Sequence, residues 1–95
     1  MRSWVRQNKN VMKAVRLTQR ALEQCRERGA AKLEVEQAIM FGEREPAHGG
    51  RWLYRRNYEY CATWYGKYYR VKQVVPVIAE KASEIVVITV YTYYF

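Results

Sequence analysis

Tyr68-Tyr69-Arg70-Val71-Lys72-Gln73-Val74-Val75-Pro76-Val77-Ile78-Ala79, then Glu80-Lys81-Ala82-Ser83, then Glu84-Ile85-Val86-Val87-Ile88-Thr89-Val90-Tyr91-Thr92-Tyr93-Tyr94 is the stretch that decides the fold. Two runs rich in β-branched and aromatic residues flank a short polar segment, the pattern of an antiparallel hairpin. Pro76 marks an edge or a bulge, since proline donates nothing to a ladder. With Glu80 opposite Ser83, Val77 meets Val86 and Val75 meets Ile88, and Val71 and Tyr69 extend that apolar face by alternation. The opposite face then pairs Val74 with Thr89, Lys72 with Tyr91, and Arg70 with Tyr93. One face is aliphatic and suited to receive helices. The other interleaves cations with hydroxylated aromatic rings.

Working outward, Gly66-Lys67 is read as a turn. Trp52, Tyr54 and Tyr58 supply an earlier strand, and Tyr60–Tyr65 either continue it or form a separate short one. Glu43–Gly50, with Pro46 and the Gly49-Gly50 pair, reads as a loop. Before Gly42 the period changes. Val11, Ala14, Val15, Thr18, Ala21, Leu22 and Cys25 recur at three- and four-residue steps, which predicts a helix starting near Asn8 or Asn10. That helix ends at Arg28, with Gly29 as its C-cap. Leu33, Val35, Ala38 and Ile39 predict a second helix from about Lys32 to Phe41. The short joint between them makes an αα-hairpin. Residues 1–9 are expected to form a frayed N-terminal extension, with Trp4 available to anchor it. The sequence therefore predicts a single α+β domain over residues 1–95. Its N-terminal helical hairpin packs on a mainly antiparallel sheet of three to four strands.

The chain has 95 residues, 17 basic and 9 acidic, for a net charge of +8. The excess is concentrated: residues 1–28 carry +6 and residues 51–73 carry +5, while the segments after each are net negative. Such clustering favours a polyanionic partner, nucleic acid first. Cys25 and Cys61 have neither metal-site nor disulfide-framework spacing and are expected to be buried free thiols. The N-terminus lacks the apolar core of a signal peptide, and Ile85–Tyr91 is too short to span a bilayer. A cytoplasmic protein with no membrane partner is the expectation.

Residues suited to catalysis are few. His48 is the only histidine, beside Gly49-Gly50, and an imidazole is the side chain best suited to serve as a general acid or base. No phosphate-cradling loop, nucleophile motif or metal set is present in the sequence, so no cofactor is expected. A nuclease built from these residues positions a 2′-hydroxyl and stabilises the phosphorane with cations. The candidate catalytic residues are Arg28, Arg70, Lys72, Tyr91 and His48. The candidate RNA-binding residues are Arg20, Arg55, Arg70, Lys72, Thr89, Tyr91 and Tyr93, since Lys and Arg neutralise phosphates and tyrosines stack on unpaired bases.

Leu17-Thr18-Gln19-Arg20-Ala21, Arg26-Glu27-Arg28-Gly29 and Val35-Glu36-Gln37-Ala38-Ile39, with Ile85-Val86-Val87-Ile88-Thr89-Val90-Tyr91, resemble a bacterial family catalogued only as a domain of unknown function. The resemblance covers about residues 17–92. That family is similar to the RelE-like toxins, which implies a RelE- or barnase-like fold and metal-independent endoribonuclease activity on mRNA, including ribosome-bound mRNA. It also implies a small acidic antitoxin as partner. Where family members carry His-Ala and an arginine four residues later, this chain has Arg20-Ala21 and Gln24. Arg28-Gly29, Thr89 and Tyr91 are retained. The alternative is a non-catalytic RNA- or protein-binding module on the same scaffold. A third reading is a structural partner whose basic surface docks an acidic peptide.

Overall fold

The computed structural model describes residues 3–7 and 11–95. Two strands, β1 (Ser3–Gln7) and β2 (Val11–Leu17), precede the helices α1 (Gln19–Arg28) and α2 (Lys32–Phe41). Four strands, β3 (Glu43–Ala47), β4 (Arg51–Trp64), β5 (Lys67–Glu80) and β6 (Glu84–Tyr94), follow. They form one six-stranded sheet in the order β1-β2-β6-β5-β4-β3. Every adjacent pair is antiparallel except β2 and β6, which run parallel from Ala14↔Glu84 to Leu17↔Val87. The α+β class is as the sequence predicts, with more strands than the three to four expected.

The extra strands come from three segments read differently in the sequence. Val11–Leu17 satisfies a helical spacing, yet it lies in the sheet. Val15 and Leu17 alternate with Ala14 and Arg16, and the pairing of Val15 with Ile85 and of Leu17 with Val87 sets their conformation. Thr18, expected on the helix's apolar face, is instead its N-cap: its hydroxyl accepts from the Ala21 N–H at 3.1 Å. Ser3–Gln7, expected to fray, pairs antiparallel with β2; residues 8–10 lie outside the described residues. Glu43–Ala47, expected as loop, is an edge strand, the position in a sheet where Pro46 is tolerated.

The helices cover one face. Ala21 and Cys25 of α1 and Val35 and Ile39 of α2 pack on Val15, Tyr54, Val74, Ile78, Ile85, Val87 and Val90. Each β-branched chain buried there contributes roughly 1.5–3 kcal/mol. Gly42, after α2, has no room for a Cβ: one would lie 2.4 Å from the Ala38 carbonyl and 2.6 Å from that of Arg55. α2 therefore turns into β3 directly against β4.

Two irregularities set which side chains reach which face. In the β5–β6 hairpin the pairing near the turn is Glu80↔Ile85, and Ile78 meets Val87. Between Val77 and Ile78 the register shifts, with Ile88 as the extra residue of β6, so that Val77 meets Thr89 and Lys72 meets Tyr94. A bulge of this kind inverts the alternation beyond it. The expected pairs Lys72–Tyr91 and Arg70–Tyr93 do not form. Val74 and Lys72 face the helices, while Val75, Val77 and Gln73 share the far face with Tyr91, Thr89 and Tyr93 respectively. In the β4–β5 ladder a second shift lies between Glu59 and Ala62, where Cys61 adopts φ 47°. Pro76 sits in the middle of the sheet, and the ladder skips Tyr54 and Arg55 opposite it, as a missing N–H requires.

Candidate nucleic-acid interface

Tyr91, Tyr93 and Phe95 occupy alternate positions at the end of β6. Phe95 continues the strand, because its N–H and carbonyl bond to the carbonyl and N–H of Val71. All three rings therefore lie on the face that the helices leave uncovered. They are 41%, 47% and 58% exposed, unusual for large rings in register on a sheet. The Tyr91 and Tyr93 rings are nearly parallel, 23° apart in plane and 6.4 Å between centroids. Thr89 precedes them on the same face.

α1 positions a cation at the start of this row. β2 pairs with β6 only as far as Val87, which leaves the next backbone groups of β6 at an edge. Gln24 accepts from the Val90 N–H at 2.9 Å, and Arg28 donates from Nη1 to the Val90 carbonyl at 2.7 Å. These two residues, one turn apart on α1, close the edge in place of a strand. Arg28 then lies 5.1 Å from the centroid of the Tyr91 ring. One of its five N–H donors goes to Val90, and among the described residues the others make no hydrogen bond, which leaves them for a ligand. Arg20 lies one further turn back on the same helix face and is exposed.

Arg70 lies at the other end of the row. With Asn57, Glu59, Cys61, Val71 and Phe95 it lines an open groove of about 570 Å³. Arg70 makes no ion pair among the described residues. Arg55 also reaches the helix-free face, but Glu45 holds it in two 3.2 Å hydrogen bonds, and it donates a third to Gln73. Those carboxylate bonds raise the Arg55 pKa and cancel much of its charge.

Lys72 does not belong to this surface. It is buried on the helix side, where Nζ donates to Glu34 Oε1 at 2.8 Å and to the Gly29 carbonyl at 2.9 Å. It ties β5 to the junction of the two helices. Thr92 and Tyr94 reinforce that junction, each donating its hydroxyl to the Arg28 carbonyl. His48 does not belong either. It lies in the exposed 3-10 turn between β3 and β4, next to the Ala47↔Arg51 pair and level with the Ile78 end of β5. Ile78 and Arg70 are eight residues apart, about 26 Å at roughly 3.3 Å per residue. The five candidate catalytic residues thus do not converge. Arg28 and Tyr91 meet, whereas Arg70, Lys72 and His48 are separate from them.

Phe95, Gln24 and Asn57 are the residues that sequence reading missed. The Tyr91-Thr92-Tyr93-Tyr94-Phe95 alternation could have found Phe95. Gln24 and Asn57 acquire their roles only from the sheet edge and the bulge. Cys25 is buried, which raises its pKa. Cys61 is exposed, contrary to expectation, because the bulge turns it outward. Among the described residues no three His, Cys, Asp or Glu side chains gather as a metal site, and no helix is long and apolar enough to cross a membrane. No family model, curated protein or solved structure matches the chain.

Proposed function

We propose that this chain binds single-stranded RNA along β6, on the sheet face without helices. One observation carries this reading. Three exposed rings, Tyr91, Tyr93 and Phe95, stand in register, with Arg28 at one end and Arg70 at the other. Unpaired bases stack on such rings at about 1–3 kcal/mol each without regard to sequence. The arginines neutralise the phosphates between the bases, and the +8 net charge adds long-range attraction. Arg20 extends the cationic track along α1, and Thr89 offers a hydroxyl. Arg55 contributes through its remaining donors more than through charge. Lys72 has no part in it.

A second reading is a RelE-like toxin: a cytoplasmic, metal-independent endoribonuclease acting on mRNA and held inactive by a small acidic antitoxin. The contact between Arg28 and Tyr91 favours it. An arginine beside a phenol can stabilise a pentacoordinate phosphate and hold a proton near the leaving oxygen. Among the described residues no histidine or carboxylate is hydrogen-bonded to this pair, so it has no strong base in place and RNA binding is the better-supported function.

The test is direct binding of a single-stranded RNA oligonucleotide. Tyr91→Ala/Tyr93→Ala should weaken it by about ten- to a thousandfold, on the order of one to two lost stacking contacts. Unchanged affinity overturns the proposal. Tyr91→Phe keeps the ring and removes the hydroxyl. If transcript cleavage occurs on expression and Tyr91→Phe abolishes it while RNA binding persists, the toxin reading is the correct one.

A further inference from the structure

We infer that the groove between the β4 bulge and the end of β6 is a pocket for one unpaired guanine of the bound strand. This deepens the RNA-binding proposal and rests on it. The volume, about 570 Å³, suits a single nucleotide. Its wall is apolar: Val71, and the Phe95 ring fixed by the ladder bonds of its own backbone to Val71. The polar groups have a definite pattern. Glu59 is exposed and has no ion pair among the described residues, which leaves its carboxylate two acceptor oxygens side by side. Its carboxylate receives the weak Cys61 thiol at 3.8 Å, and Tyr68 lies beside the same two groups. Asn57 accepts from Gln73 Nε2 at 2.8 Å through Oδ1, so its amide N–H groups are the atoms left for a ligand.

Guanine is the base that matches. Its pairing edge offers two adjacent donors, N1–H and N2–H, beside the O6 acceptor. A carboxylate takes both donors, and an amide N–H reaches O6. Adenine and cytosine each offer one amino donor next to a ring acceptor, which would face a carboxylate oxygen lone pair against lone pair. Uracil offers one donor between two acceptors. Arg70, lining the same groove, is placed for the phosphate and offsets the repulsion from Glu59.

The experiment uses the intact chain and four nucleoside monophosphates, measured by calorimetry, with maleimide labelling of Cys61 as a second readout. Cys61 lines the groove, and the other thiol, Cys25, is buried. GMP should bind about ten- to a hundredfold tighter than AMP, CMP or UMP, the discrimination a bidentate contact supplies. GMP should also slow labelling of Cys61. Glu59→Gln, an exposed substitution that leaves the core untouched, should erase the preference, and Arg70→Ala should weaken all four ligands alike. Equal binding of the four, or a preference that survives Glu59→Gln, overturns the guanine pocket. If that happens while Tyr91→Ala/Tyr93→Ala still weakens RNA binding as expected, only the pocket is wrong. If the double variant binds RNA normally, it is the β6 surface that fails.

Discussion

Gly29 shows how one residue ties the helical hairpin to the sheet. It has φ 76°, the left-handed conformation that ends α1. A Cβ there would lie 2.6 Å from the Tyr94 hydroxyl and 2.8 Å from the Trp64 ring. Gly29→Ala should cost at least about 1–2 kcal/mol from handedness alone, with the overlap added. Urea denaturation measures it, and a loss below that range would mean the junction is looser than described. Lys72 and Arg70, two residues apart, should behave oppositely. Lys72→Ala removes charged hydrogen bonds from a buried site and should cost about 2–3 kcal/mol of stability. Arg70→Ala should leave stability within about 0.5 kcal/mol. It should reduce the slope of log affinity against log salt for single-stranded RNA by about 0.7. The reverse pattern would put the phosphate ligand at the wrong residue.

Tyr58 and Tyr94 add a pH dependence. Burial raises the pKa of both above the ordinary tyrosine value. Tyr58 donates to the Glu34 carbonyl and to Gln37, and Tyr94 to the Arg28 carbonyl, bonds that need the protonated phenol. Their contribution is complete below the unfolded pKa of about 10 and is lost as pH rises through the folded value. Stability should therefore be flat with respect to these groups at neutral pH and fall in strong alkali. The part of the tyrosinate absorbance that Tyr58→Phe and Tyr94→Phe remove should appear above the ordinary tyrosine range. Its appearance at the ordinary pKa would contradict the helix–sheet contacts.

At the level of elements, what could be read from the sequence depended on where the determining contacts lie. α2 was legible to its ends because its apolar stripe and Gly42 are local signals. The β5–β6 hairpin was legible as a pair, since both runs are strongly β-forming. Its register was not. Pro76 signals an edge or a bulge, and a bulge lies beside it at Val77/Ile78, but nothing in either strand says that β6 supplies the extra residue, Ile88. The bulge moved Lys72 from the surface to the core while leaving Thr89, Tyr91 and Tyr93 on the open face. β2 was misread as helix because Val11, Ala14, Val15 and Thr18 fit a helical stripe as well as they fit a strand. The parallel pairing with β6, about seventy residues away, decides between the two. Glu43–Ala47 is a strand for the same non-local reason. The candidate site was legible as a residue list and illegible as a constellation: the Arg28–Tyr91 contact depends on the edge that β2 leaves open.

Across the whole molecule, the two faces of the sheet have separate duties. The helix side holds the apolar core and a buried ion pair, Lys72–Glu34, that fixes the helical junction. The other side carries the exposed rings of Tyr91, Tyr93 and Phe95, with Arg28 and Arg70 at the ends of the row. Much of the local charge is internally compensated: Arg16 pairs with Glu84, Arg55 with Glu45, and Lys13 and Arg44 with Glu80. Arg20, Arg26, Arg28, Arg51, Arg56 and Arg70 make no ion pair among the described residues. Three of these, Arg20, Arg26 and Arg28, lie on α1, so an α1-centred surface for an acidic protein competes with the β6 surface for RNA. Photo-crosslinking of a bound single-stranded RNA, with the crosslinked residues located by mass spectrometry, separates them. Crosslinks at Tyr91, Tyr93 and Phe95 are the predicted result; crosslinks confined to α1, with none on β6, would contradict it.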